Sequence, residues 1–129
     1  MKVDAVTEAV VGEAIRIHRE LGPGLLESVY ERVLSAGLSR RGLRVATQVP
    51  VAIRYDGMVI DGAFRVDLLV EDTVVIEIKS VEQLTKLHAK QLLTYLRLME
   101  QPVGLLLNLS GLTMKEGIRR LVNDYRPDI

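Results

Sequence analysis

Asp67, Glu77 and Lys79 stand in the run 64-FRVDLLVEDTVVIEIKS-80, which is otherwise largely apolar. The run reads as two strands around a tight turn, and side chains alternate between the faces of a strand. In the second of the two, Val74, Ile76 and Ile78 point one way and Val75, Glu77 and Lys79 the other. In the first, Phe64, Val66, Leu68 and Val70 share a face, and Arg65, Asp67 and Leu69 take the opposite one. A three-residue turn over 71–73 pairs Val70 with Val74 and sets Asp67 directly opposite Glu77. Side chains so opposed have Cβ atoms roughly 4.5–5.5 Å apart, and like charges there destabilise the pair. A hard divalent cation removes the conflict, because Mg²⁺ takes one or two carboxylates and completes its shell with water and phosphate oxygens. Lys79 lies on the same side, roughly 7 Å beyond Glu77, where it could orient an attacking water or stabilise charge on a phosphorane. The same spacing also suits a solvent-facing strand with an ion pair. Register decides between the two, since a slip of one residue sends Asp67 to the other face.

A second polar line follows. His88, Gln91 and Tyr95 form one stripe of a helix whose other face carries Ala89, Leu92, Leu93, Leu96 and Met99. Ser80 and Gln83 have capping-box spacing, which predicts a helix from about 81 to 99 that begins just after Lys79 and lays the stripe beside the carboxylates. The stripe also reads as the ordinary boundary between the buried and wet faces of a helix.

The remaining elements are those that must position these groups. Val6, Val10, Ala14, Ile17 and Leu21 recur at helical steps and predict a helix over 4–20 with Asp4 as N-cap, ended by Gly22-Pro23-Gly24. A second helix is expected from Leu25 to Arg40, burying Leu26, Val29, Tyr30, Val33 and Leu38. From Val49 the period becomes two: strands over 48–55 and 58–70 join through Asp56-Gly57, a strong short hairpin signal, with Gly62 marking a bulge. After the helix near 81–99, 103-VGLLLNL-109 suits a strand covered on both faces. A helix between it and 74-VVIEIK-79 makes the two parallel with a right-handed crossover. Thr113 and Glu116 open a last helix running to Tyr125. The predicted order is α-α-β-β-β-α-β-α, an α/β sandwich on a mixed four-stranded sheet.

Composition narrows the function. At 129 residues and 14.4 kDa the chain suits a single domain, residues 1–129, that buries a core without staples. It has no cysteine, hence no disulfide, no thiolate zinc site and no thiol nucleophile. The charged N-terminal stretch MKVDAVTEAVVGEAIRIHRE has no unbroken apolar centre, so a cytoplasmic protein without a membrane partner is expected. Seventeen basic and seventeen acidic residues give no global positive field. Locally, residues 1–31 carry three basic and six acidic side chains, whereas 32–44 hold Arg32, Arg40, Arg41 and Arg44 and no acid. No Gly-x-Ser-x-Gly elbow or Gly-x-x-x-x-Gly-Lys loop points to another hydrolase chemistry.

In several ordered motifs the chain resembles the PD-(D/E)XK nuclease superfamily, and within it the small bacterial GxxExxxR proteins. These motifs are 18-HRELGPGLLESVYE-31, the FRVDLLV strand, VVIEIKSVEQL, HAKQLLTYLRL and GLLLNLS, spread over nearly the whole chain. The resemblance implies a restriction-endonuclease-like core that holds Mg²⁺ or Mn²⁺ on two carboxylates and a strand carbonyl. It assigns Asp67 and Glu77 as metal ligands, the carbonyl of Ile78 as a further ligand, and Lys79 as the catalytic lysine. Glu27 matches a glutamate that some branches add to the metal site, and Gln91 and Tyr95 match a polar line on the helix after the lysine. His18 and Gly24 belong to the signature: Gly24 for a turn of positive φ, His18 for a contact with Glu27. Two positions depart from the pattern. Val66 replaces the naming proline, and Glu31 stands where the signature ends in arginine, with Arg32 about 100° further round the helix. The implied activity is metal-dependent phosphodiester hydrolysis of nucleic acid, DNA before RNA. The competing reading is a nucleic-acid or protein-binding module that does not cut, and a third is a self-associating domain in which the first helix builds a homodimer.

Overall fold

The computed structural model describes residues 1–127. Its elements are α1 (Val3–Leu21), α2 (Glu27–Arg40), β1 (Val45–Tyr55), β2 (Met58–Val70), β3 (Val74–Lys79), α3 (Lys86–Met99), β4 (Val103–Asn108), α4 (Met114–Gly117) and β5 (Ile118–Val122). The strands form one mixed sheet in the order β1-β2-β3-β4-β5, with β3 and β4 parallel and every other neighbour pair antiparallel. This is the expected α/β architecture with one strand more than predicted.

Helices cover both faces of the sheet. On one, Val6, Val10, Ala14 and Ile17 of α1 and Tyr30, Leu34 and Leu38 of α2 pack on Leu68, Val70, Val74, Ile76, Ile78, Leu105 and Leu107. On the other, Leu92 and Leu96 of α3 pack on Val66, Val75 and Leu106. All six residues of β4 are buried, as its continuous apolar run requires. The apolar stripe of α1 is taken up by the core as far as Ile17, and Leu21 is exposed. Of the residues predicted to be buried in α2, Tyr30 and Leu38 are, whereas Leu26 and Val29 are exposed and Leu34 takes the expected place of Val33 at the centre. The helix begins at Glu27, so Leu26 lies ahead of its first turn rather than on its inner face.

Three further expectations are corrected. Lys2, not Asp4, is the N-cap of α1; Asp4 sits in the first turn and its carbonyl accepts the Thr7 hydroxyl. α3 starts at Lys86, where Thr85 and His88 build the capping box: His88 N–H donates to Thr85 Oγ1, and Thr85 N–H to His88 Nδ1. Ser80 is drawn away from any capping role by tertiary partners described below. The final helix is a single turn, closed by Thr113 Oγ1 accepting from Glu116 N–H, after which the chain pairs with β4 as an edge strand. Met114, Ile118, Leu121 and Val122 fit helical spacing, but the β-branched IRRLV segment satisfies the free edge of β4, which a helix would leave bare.

The long β1–β2 hairpin turns at Asp56-Gly57 with φ of 49° and 78°, the positive values a two-residue hairpin turn needs. Gly62, φ 58°, sits in the expected bulge, where Ala52 of β1 alone faces Asp61, Gly62 and Ala63 of β2. The β2–β3 turn pairs Val70 with Val74, Leu69 with Val75 and Leu68 with Ile76, the predicted register.

Candidate active site

Past Leu68 and Ile76 the β2–β3 pairing ends, and side chains take over from the backbone. Ile78 N–H donates to Asp67 Oδ2 at 2.8 Å, and Asp67 N–H to Glu77 Oε2 at 3.4 Å. The three-residue turn thus brings Asp67 and Glu77 together. Glu77 is only 5 % exposed and Asp67 half-buried. Burial, then a hydrogen bond shared with the Asp67 carboxyl and its charge, pushes the Glu77 carboxyl up to about 9, against a smaller opposing pull from Lys79. Two carboxylates so placed, with little cationic compensation, form an oxygen donor set of the kind a hard cation takes.

One face assignment changes. Leu68 and Val70 pack toward α1 and α2, whereas Phe64 and Val66 pack toward α3. The strands therefore switch faces at the level of Asp67 and of its neighbour on β1, Gln48, the one position there that the β1–β2 register skips. Gln48 has φ 48°, and this left-handed residue supplies the local twist that simple alternation lacks.

Lys79 ends β3, half-buried and paired with Asn108 of β4, its carbonyl accepting Leu109 N–H. Tyr95 comes from α3, stacked on Phe64 with ring centroids 4.0 Å apart and planes 10° from parallel. Burial and then the charges of Glu77 and Asp67 raise its phenol above the ordinary value, which keeps it a donor. Gln91, one turn earlier, is exposed, and His88 is committed to the α3 cap.

From α2, Glu27 does not join the carboxylate pair. Its Oε1 accepts Ser80 N–H at 3.1 Å, just beyond Lys79. Ser80 Oγ donates to Leu25 O and shares a hydrogen bond with Ser110 Oγ, which accepts Gly24 N–H. Asn108 Oδ1 accepts Ser110 and Val81 N–H. Gly24 has the expected positive φ, 101°, while His18 bonds Gly111 O at 2.8 Å rather than Glu27. Tyr30 hydroxyl donates to Gly22 O and accepts Leu25 N–H, which holds the Gly-Pro-Gly loop closed on the head of α2. The signature residues thus latch three loops to one another, and the latch sets Glu27.

Glu31 also turns toward this region. Its Oε1 accepts from Gln48 Nε2, which also donates to Asp67 Oδ1. Burial and then the Asp67 charge raise the Glu31 carboxyl, although the bond from Gln48 opposes them. Sequence reasoning missed Gln48, Ser80, Ser110 and Asn108. No periodicity marks them; the nearest signal was the placement of Ser80 directly after Lys79.

Among the described residues no three acidic or histidine side chains converge closely enough to cage an ion by themselves. The Asp67–Glu77 pair nonetheless fits Mg²⁺ or Mn²⁺ in its chemistry, since such ions draw the rest of their shell from carbonyl, water and substrate oxygens. A cleft of about 630 Å³ opens beside the latch, lined by Glu82, Leu84, Asn108, Ser110, Leu112 and Arg119 among others, and by neither carboxylate of the pair.

The five-stranded mixed sheet flanked by helices is the architecture of a restriction-endonuclease-like fold. A family model for the PD-(D/E)XK nuclease superfamily matches residues 4–121, and the chain belongs to that superfamily. Among solved structures, the crystal structure of SSO0001 is similar, with 22% identity and a TM-score of 0.44 over 94% of this chain and 67% of that one. No curated protein matches the chain. No helix among the described residues is long and apolar enough to cross a membrane.

Proposed function

We propose that the protein is a Mg²⁺- or Mn²⁺-dependent phosphodiesterase acting on nucleic acid, DNA before RNA. The observation that carries this reading is the Asp67–Glu77 pair, buried where β2 and β3 part and followed at once by Lys79. Asp67, Glu77 and the Ile78 carbonyl would hold the cation, with Glu27, fixed on Ser80 N–H, as a further carboxylate on the α2 side. A divalent ion bound there would supply charge stabilisation for a phosphodiester and a water of lowered pKa. Lys79 would donate to an attacking water and offset charge that builds on the phosphoryl oxygens. Tyr95, kept protonated, donates to the scissile phosphate from the α3 side, and Gln91, exposed one turn away, steadies the strand being cut. A cation held there would compete with the proton that burial and Asp67 favour on Glu77.

Cleavage of end-labelled single- and double-stranded DNA and RNA in Mg²⁺, Mn²⁺ or EDTA, comparing wild type with Asp67→Asn, tests the reading. Metal-dependent cutting by the wild type and none by the variant is expected. A folded wild type that binds nucleic acid and cuts none under either metal would replace this reading with that of a binding module.

A further inference from the structure

Gln48 is a strand residue with φ 48°, a left-handed backbone that costs any residue other than glycine. Nothing in the topology requires it. β1 pairs with β2 on either side, Thr47 with Leu68 and Val49 with Val66, and no residue is gained or lost between them. A glycine would adopt this backbone at less cost, so the reason for a glutamine lies in its side chain. Its amide nitrogen donates to Glu31 Oε1 at 2.5 Å and to Asp67 Oδ1 at 3.3 Å. Ionised carboxylates only accept, and an amide carries two N–H donors, so one neutral group serves both acids. With Ile78 N–H on Oδ2, the Asp67 carboxylate is held from two sides, Oδ1 by the Gln48 amide and Oδ2 by the backbone. The carboxylate is thereby fixed in rotation.

We infer that Gln48 is a positioning residue. Its amide, anchored on Glu31 of α2, sets the Asp67 carboxylate for cation binding, and the strained backbone at 48 is the conformation that delivers the amide there. Glu31 thus serves as the far post of a Glu31–Gln48–Asp67 bridge across the site. Groups that orient a metal ligand from behind typically change metal affinity or activity by about 10–100-fold when removed. This role for Gln48 rests on the metal-dependent reading above, whereas its hold on Asp67 does not.

Gln48→Gly separates the two effects, because glycine keeps the backbone at no strain and removes the side chain that carries the amide. Two measurements on folded, EDTA-treated protein decide the matter: exchange of the Ile78 amide hydrogen, which reports how firmly Asp67 is held, and the Kd for Mn²⁺ by calorimetry. The expected result is an unchanged or higher Tm, faster exchange at Ile78 and Mn²⁺ binding weakened about 10–100-fold. Glu31→Gln, which removes the charge of the far post, should weaken Mn²⁺ binding in the same direction by less. A purely structural role for Gln48 would alter Tm and leave the Mn²⁺ Kd alone. Unchanged Ile78 exchange in Gln48→Gly overturns the positioning role, and so does unchanged Mn²⁺ affinity. If wild type binds no Mn²⁺ while Ile78 still exchanges faster in the variant, the metal-dependent reading falls and the bridge to Asp67 stands.

Discussion

The amide of Ile78 donates to the carboxylate of Asp67 across the point where β2 and β3 stop pairing. A side chain there does the work of a ladder carbonyl, so the carboxylate is part of both the sheet and the site. Asp67→Ala strands a partly buried N–H and should cost about 1–3 kcal/mol. Asp67→Asn keeps an acceptor for Ile78 and removes a charge beside Glu77. Its Tm in EDTA should equal or exceed that of wild type, while its Tm gain on adding Mg²⁺ should vanish. Thermal unfolding with and without the ion checks both.

The Glu77 carboxyl, pushed from 4.5 to about 9, predicts how the metal-free protein responds to pH. Below 4.5 the group is protonated in both folded and unfolded chains and costs nothing. Above it the unfolded chain ionises first while the folded one retains its proton, so stability falls as pH rises toward about 9. Urea unfolding in EDTA between pH 5 and about 9 should show this decline in wild type and a flatter profile in Glu77→Gln. Saturating Mg²⁺ should reverse the slope, since the ion displaces the proton more easily at higher pH.

Lys79 ends its strand half-buried, and its charge is the smaller influence on Glu77 beside burial and Asp67. Lys79→Ala should therefore fold with a near wild-type Tm and lose cleavage by about 10²–10³-fold, the usual cost of removing one charge-stabilising donor. Single-turnover cleavage alongside circular dichroism makes the test. Cleavage retained at full rate would remove Lys79 from the mechanism.

Tyr95 joins two functions that substitution can part. Tyr95→Phe keeps the ring stacked on Phe64 and should leave stability within about 0.5 kcal/mol, while cutting the cleavage rate through loss of the hydroxyl. Tyr95→Ala also loses the stack and should destabilise by roughly 2 kcal/mol, below the range for fully buried aromatics because the ring is half-exposed.

Gly117 carries a prediction whose sign depends on the structure. In the helix that its surroundings suggested, Gly117→Ala would stabilise by about 1 kcal/mol. In the observed turn from α4 into β5, an added Cβ would drive into the carbonyl oxygen of Asn108, a backbone atom that cannot step aside. The variant should be destabilised by about 1–3 kcal/mol, measured as a shift in the urea midpoint.

What the sequence determined by itself was whatever local chemistry decides. Asp56-Gly57 set one hairpin and the three residues 71–73 the other, and with the second came the register that sets Asp67 beside Glu77. The apolar run 103–108 announced a strand buried on both faces, and the helix before it made that strand parallel to β3. Turn type and side-chain period act over a few residues, so they can be read in order along the chain. Only the tertiary structure decided the rest. Ser80 met Glu27, 53 residues away, and Ser110, 30 away, which left the α3 cap to Thr85 and His88. The bare edge of β4 turned a helical-looking segment into β5. Gln48 took a left-handed backbone, and its amide reached two carboxylates, on α2 and β2. Each of these outcomes follows from a polar group or a strand edge that had to find a partner far along the chain, and that demand leaves no periodicity in the sequence.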